Sequence, residues 1–187
     1  LLLAREVFPE VVGVDQADRL LAQVRRRESL GTLLAGSADR LPLASDQFAG
    51  VSMYALLHHL KDPGPALAEA HRVLAPGGVL YTDHDPNSGF GRFYRRWYRL
   101  RHRGRHGFGS ELEDLAEYHN VYSDGLDPGS LEAQLRGLGF REVEVRLRHP
   151  VGPTRGPRGL AVSLLRTGAR ILPLRSLFTH FYILARK

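Results

Sequence analysis

The stretch EAHRVLAPGGVLYTD (residues 69–83) decides the fold. Its first half places Ala70, Val73 and Leu74 on one helix face, continuing a stripe begun by Ala66 and Leu67. Pro76-Gly77-Gly78 cannot continue a helix and predicts its end. Val79–Thr82 is then an apolar run leading into an acid, Asp83, and predicts a strand. Just upstream, Asp62-Pro63 offers a helix cap followed by the residue best suited to a first helical position. Before that, FAGVSMY (48–54) predicts another strand. Strand, helix, strand in this order is the unit of a parallel α/β sheet.

The same rhythm extends toward the start of the chain. Glu10–Gln16 (EVVGVDQ) is a short apolar run ending in an acid and predicts a buried parallel strand. Leu1–Val7 has the character of a helix end, with Phe8-Pro9 as its break. Ala17–Glu28 predicts a helix with Leu20, Leu21 and Val24 inward and Arg25–Arg27 at the end where cations suit the helix dipole. Gly31 stops it, and Thr32–Ala35 predicts a second strand.

The rhythm breaks at 86–126. This segment carries Phe90, Phe93, Tyr94, Trp97 and Tyr98 among many Arg, and is expected to be an insertion that covers a substrate. Beyond it, Asp127-Pro128 predicts a helix to Leu138, closed by Gly139, and Phe140–Leu147 alternates as a strand does. A Pro/Gly-rich connection (151–159) leads to an amphipathic stripe, Ala161, Leu164, Leu165, Ile171 and Leu172, with Arg166 and Arg170 opposite. Phe181–Ala185 predicts a last strand.

The 187 residues suffice for one domain with a real core. With 43% hydrophobic and 25% charged residues the chain is neither disordered nor fibrous, and no run is long enough for a spanning helix. The absence of Cys excludes disulfides, thiolate metal sites and a cysteine nucleophile. A soluble, cytoplasmic protein is the expectation. The net charge of +6 is uneven: residues 86–110 hold seven Arg and no acid, and 150–187 hold seven basic groups and no acid. Such segments suit an anionic substrate, a membrane surface or nucleic acid, or are simply solvated. Because nearly all the basic residues are Arg, Arg identity by itself points to no chemistry.

Taken in order, VVGVD (11–15), SADRLPLASDQFAGV (37–51), LLHHLKD (56–62), EAHRVLAPGGVLYTD (69–83), LEAQLRGLGF (131–140) and FYILARK (181–187) form a set. This set resembles the class I S-adenosylmethionine-dependent methyltransferases, and most of all the small-molecule branch that includes the ubiquinone and menaquinone biosynthesis enzymes. The resemblance implies a Rossmann-like α/β fold, a mostly parallel sheet with helices on both faces, and S-adenosylmethionine as cofactor. It implies methyl transfer to an oxygen or carbon of a small molecule, apolar or lipid-like.

The resemblance also implies site residues. Asp15, with Gln16, would hold the cofactor's ribose, since a carboxylate ending a strand can accept bonds from two vicinal hydroxyls. Ala38 and Asp39 would meet the adenine, and Met53 and Tyr54 the methionine portion. Asp15 is equally a helix cap, Asp39 a turn residue, and Met53 and Tyr54 core. His58 and His84 are the candidate bases; His59, Asp85, Tyr118 and His119 are candidate acceptor contacts. The D-H-D spacing at 83–85 lacks the ligand set of an open metal site, so no metal is expected. A donor that carries its own activation in a positive sulfur needs mainly alignment and exclusion of water.

The family's glycine-rich loop and the strand before it are not found, so the chain is expected to be N-terminally truncated. In the family's strand order, 3-2-1-4-5-7-6, that strand is central. Either its place stays open, or the strand at 11–15 pairs directly with that at 48–54. The rival functions are a non-catalytic remnant that acts by binding, a peripheral membrane protein using its Arg-rich segments, and a nucleic-acid methylase, for which no recognition module is identifiable. Oligomeric state is not legible.

Overall fold

The computed structural model describes residues 6–27, 31–92, 119, 125–148, 159–160, 163–164, 167–168, 174 and 178–187. Among the described residues, the elements with both ends placed follow in the order β1 (Val12–Asp15), α1 (Asp18–Arg27), β2 (Thr32–Ala35), β3 (Phe48–Tyr54), α2 (Gly64–Val73), β4 (Leu74–Pro86), α3 (Pro128–Gly137), β5 (Arg141–Arg148) and β6 (His180–Arg186). A short 3-10 turn, Leu57–His59, lies between β3 and α2.

The strands fall into two sheets. β1 and β2 pair in parallel, Val12 opposite Thr32 through Asp15 opposite Ala35. The other sheet runs β3-β4-β6-β5, with β3 parallel to β4 and β6 antiparallel to both its neighbours. Within each sheet the neighbours are those of the expected order, β1 beside β2, and β3-β4-β6-β5. Direct pairing of the strand at 11–15 with that at 48–54 does not occur: among the described residues β1 and β3 each carry a ladder on one side only. The expectation that 11–15 is buried is also corrected. All four β1 residues are half-buried, and Ala49, Gly50, Ser52 and Tyr54 of β3 are exposed. Parallel strands are covered when both edges and both faces have partners, and here one edge has none among the described residues.

The core belongs to the four-stranded sheet. Leu57, Leu67, Leu74, Leu80, Leu131, Leu135, Phe181 and Ile183 are fully buried and contiguous, supplied by β4, β6, α2, α3 and the 3-10 turn. The two-stranded sheet buries only Leu21 and Leu33 among the described residues, and neither joins that cluster. The segment between β2 and β3 is fastened to α2 instead. Arg72 holds Glu69 through two 2.7 Å bonds and donates to the Leu43 and Leu41 carbonyls, while Leu41 N–H donates to Glu69. The Arg72 hydrogen bonds hold the Glu69 carboxyl below its ordinary range.

Most local signals agree with the structure to within a residue or two. Asp127 caps α3 by accepting from Ser130 N–H at 2.8 Å. Gly31 takes φ +87° where a Cβ would lie 2.5 Å from the Val11 carbonyl, so only glycine closes that turn. Two signals shift. The cap position of α2 is Pro63 rather than Asp62, whose carboxylate accepts from Gly64 N–H at 2.9 Å. Pro76-Gly77-Gly78 does not end α2, which stops at Val73; it forms an irregular start to β4, between the Phe48–Leu74 and Gly50–Val79 pairs. There a Cβ on Gly78 would sit 3.0 Å from the Phe48 carbonyl. Most of 86–126 and of the 161–172 stripe lies outside the described residues. No helix among the described residues is long and apolar enough to cross a membrane.

Candidate functional site

β3 and β4 run side by side until β3 ends at Tyr54, opposite Asp83, while β4 continues to Pro86. Two backbone irregularities shape the edge beyond. Ala55 adopts φ +50° and donates its N–H to the Asp83 carbonyl at 2.8 Å, which turns the chain into the 3-10 segment. His84 adopts φ +65°, where the β4–β6 register slips between Asp83 and Asp85. A left-handed non-glycine residue at a bulge is strained, and such strain gathers at functional sites.

The bulge gives the two aspartates different partners. Asp85, 0% exposed, receives both the backbone N–H of His58 (3.1 Å) and its Nδ1 (3.0 Å) on a single oxygen, Oδ1. His58 is itself buried, and its ring packs on His59 at 4.0 Å, with His59 exposed. Asp85 Oδ2 is buried with no hydrogen-bond partner. Asp83 instead accepts from the Tyr81 hydroxyl (2.6 Å), from Arg148 Nη1 (2.9 Å) and from His84 N–H (2.8 Å). Burial alone would raise the Asp83 carboxyl, but these donors outweigh it and hold it below its usual range. Burial and the Asp83 bond push the Tyr81 phenol up to about 12. Arg148 also lies 4.7 Å over the Tyr182 ring.

Around this pair stand further rings. His84 stacks on Tyr54 at 4.4 Å, Tyr54 being 63% exposed. His180, opening β6 opposite Pro86, lies 6.1 Å from His84 and shares a 2.8 Å bond with Thr179 Oγ1. His119 is half-buried, bonds to the backbone of Leu60 and Lys61, and feels both His58 and Asp85. Burial lowers the pKa of both His119 and His180, so both imidazoles are neutral at physiological pH. Among the described residues, no three His, Asp or Glu side chains are arranged to hold a metal ion.

The cofactor candidates lie along the strand ends. Asp15 closes β1, and its Oδ1 accepts from Ala17 N–H at 2.7 Å, so it does cap the chain entering α1; Oδ2 is not used in that bond. Gln16 beside it is exposed. Asp39 is exposed in a turn closed by the Ser37–Arg40 bridge, and Ala38 packs against the main core. Met53 lies in that core, paired with Thr82 of β4. Tyr118 lies outside the described residues. Thus His58, His84, Asp85 and His119 come together near Tyr54, while Asp15 and Asp39 mark the ends of the neighbouring pair of strands.

Sequence reasoning missed His180, Thr179, Tyr81 and Arg148. Their presence depends on β6 inserting between β4 and β5, which no local pattern encodes. It also missed Glu69 and Arg72, which pin the segment bearing Asp39; the i, i+3 pairing of opposite charges was the available signal.

Residues 1–82 match the family described as Methyltransferase domain. A demethylmenaquinone methyltransferase of Thermus thermophilus is 36% identical over 107 residues, covering 52% of this chain and 49% of its own length. The chain spans about half or less of the length of the curated relatives it matches. Among solved structures, a methyltransferase of Thermotoga maritima, described as a possible histamine N-methyltransferase, aligns with TM-score 0.59 at 21% identity, over 94% of this chain and 72% of its own. A Haemonchus contortus phosphoethanolamine N-methyltransferase, solved with S-adenosylmethionine, aligns with TM-score 0.57 at 16% identity, over 95% and 43%.

Proposed function

We propose, from the premise that this chain has the class I S-adenosylmethionine-dependent methyltransferase fold and carries that family's domain over residues 1–82, that it serves methyl transfer from S-adenosylmethionine to a small molecule. The carrying observation is the convergence of His58, His84, His119, His180 and Asp85 past the end of β3 and along the last residues of β4. Ligands of open α/β sheets bind beyond the carboxyl ends of strands.

The residues present fit the cofactor chemically. Asp15 offers a carboxylate at one strand end and Asp39 a second beyond the next, and the exposed Tyr54 ring offers an apolar face at a third. In this reading Asp15 accepts from the ribose hydroxyls, with Gln16 alongside; Asp39 and the backbone of Ala38 meet the adenine. When bound, the cofactor supplies a sulfonium methyl open to in-line displacement. The chain's own part is to hold the acceptor and take up its proton. Asp85 fixes the ring orientation of His58 through Oδ1, which suits His58 to act as the base for an oxygen or carbon acceptor. His84, stacked on Tyr54, is placed to line the acceptor's approach.

Support for a small-molecule acceptor comes from the relatives, one named for demethylmenaquinone and one for histamine. Calorimetric titration with S-adenosylhomocysteine tests the reading. Asp15→Asn, which keeps the acceptor that caps Ala17, is expected to weaken binding about tenfold, the loss of a charged hydrogen bond. Unchanged affinity in that variant would remove Asp15 from the cofactor site, and no binding by the native chain would defeat the function.

A further inference from the structure

Asp85 is the one carboxylate of the site whose bonding is half complete. Both bonds from His58 converge on Oδ1, and Oδ2 is sealed from solvent without a donor. A buried carboxylate oxygen left in that state is costly, and native proteins supply it with a partner. Among the described residues none does so. Asp83 has its own donors in Tyr81, Arg148 and the His84 backbone. His119 and His180, which both feel the Asp85 charge, are kept neutral by burial.

The charge count points the same way. Among the described residues of the site two carboxylates face one guanidinium, that of Arg148, and Arg148 is bound to Asp83. What the geometry leaves open is Asp85 Oδ2, a buried acceptor that a positively charged donor would satisfy. An ammonium group supplies both the charge and the N–H donor that such an acceptor takes.

We infer that Asp85 Oδ2 is a recognition atom for a protonated amine carried by the methyl acceptor. The inference rests on the reading of this cluster as the acceptor site and narrows it to acceptors bearing an ammonium group. One carboxylate then serves two purposes: Oδ1 orients His58, and Oδ2 anchors the acceptor beside it. The exposed ring of Tyr54, stacked on His84, gives the apolar remainder of such a molecule a surface to rest on.

The test compares 2-phenylethylamine with 2-phenylethanol, which match in size and differ in charge. Binding is followed on the native full chain by the imidazole resonances of His58, His119 and His180. The amine is expected to bind at least about tenfold tighter than the alcohol, the effect of one charge-assisted bond. Asp85→Asn, which retains an oxygen for His58, is expected to abolish that preference, while Glu142→Gln, an equal charge change at an exposed pair with Arg186, preserves it. Equal binding of the two probes to the native chain overturns the inference, whether or not the Asn variant folds. So does a preference that survives in Asp85→Asn. S-adenosylhomocysteine titrated into the same samples separates the two levels. Cofactor binding without amine preference defeats the inference alone. Amine preference without cofactor binding upholds the ammonium site and defeats the methyltransferase reading.

Discussion

Asp83 and Asp85 sit two positions apart on one strand and do different work, because the strained His84 between them breaks the register. Asp83 is a structural anchor: its carboxyl is held low, so the stability it lends is complete above the ordinary carboxylate range and is lost as pH falls through its depressed value. Tyr81 shows the opposite sign. Its phenol is raised to about 12, so its contribution is complete below the ordinary tyrosine pKa and is lost as pH rises through the raised one. Ultraviolet titration of the native chain is expected to show a phenolate transition near 12 that vanishes in Tyr81→Phe. A Tyr81 transition at the ordinary value would dissolve the Tyr81–Asp83 bond. For catalysis, His58→Gln is expected to lower kcat/KM by about 10² or more, the usual contribution of a positioned base. A fall in kcat/KM caused wholly by a higher KM would assign His58 to binding instead. His58, His84, Asp85 and His119 were legible as candidates, the first three because they stand just after apolar runs that end strands. That one of them orients another was not, since the bond joins residues 27 apart.

At the level of elements, the caps and breaks are legible because they are local physics. Asp127-Pro128 opens α3 and Gly139, at φ +100°, follows its end, as side-chain chemistry dictates. Asp127→Ala is expected to cost about 1 kcal/mol in chemical denaturation. Leu135, on the buried face of α3, is fully enclosed, and Leu135→Ala is expected to cost about 3 kcal/mol, a value typical of a core leucine leaving a cavity. Equal effects at the two positions would contradict the packing of α3 on the sheet. Pro76-Gly77-Gly78 misleads because a helix breaker marks where regular bonding fails without naming the element that takes over. Here a strand absorbs the break through a register shift. The length of β4 was therefore illegible from composition, although its apolar half was plain.

Across the whole molecule, strand order followed from the family resemblance, whereas strand burial did not. Apolar runs such as VVGV and FAGVSMY promise full burial only when every neighbour is present. Cohesion is consequently lopsided among the described residues. One half joins four strands to a continuous core, and the other rests on two short strands with Leu21 and Leu33. A two-stranded unit is marginal by itself. Native-state hydrogen exchange is expected to show Val12–Asp15 and Thr32–Ala35 exchanging far faster than Leu80–Thr82 and Phe181–Ala185. Uniform protection across both groups would mean that the segment fastened by Glu69 and Arg72 couples them more tightly than their packing implies.

Among the described residues β1 and β3 each present one edge without a ladder, lined with amide and carbonyl groups that seek a mate. Tyrosine, methionine and valine fringe one of them, without the lysines or prolines by which exposed borders usually repel strangers. Wherever those edges stand unpaired, a short peptide of alternating apolar residues is expected to add to them as a strand.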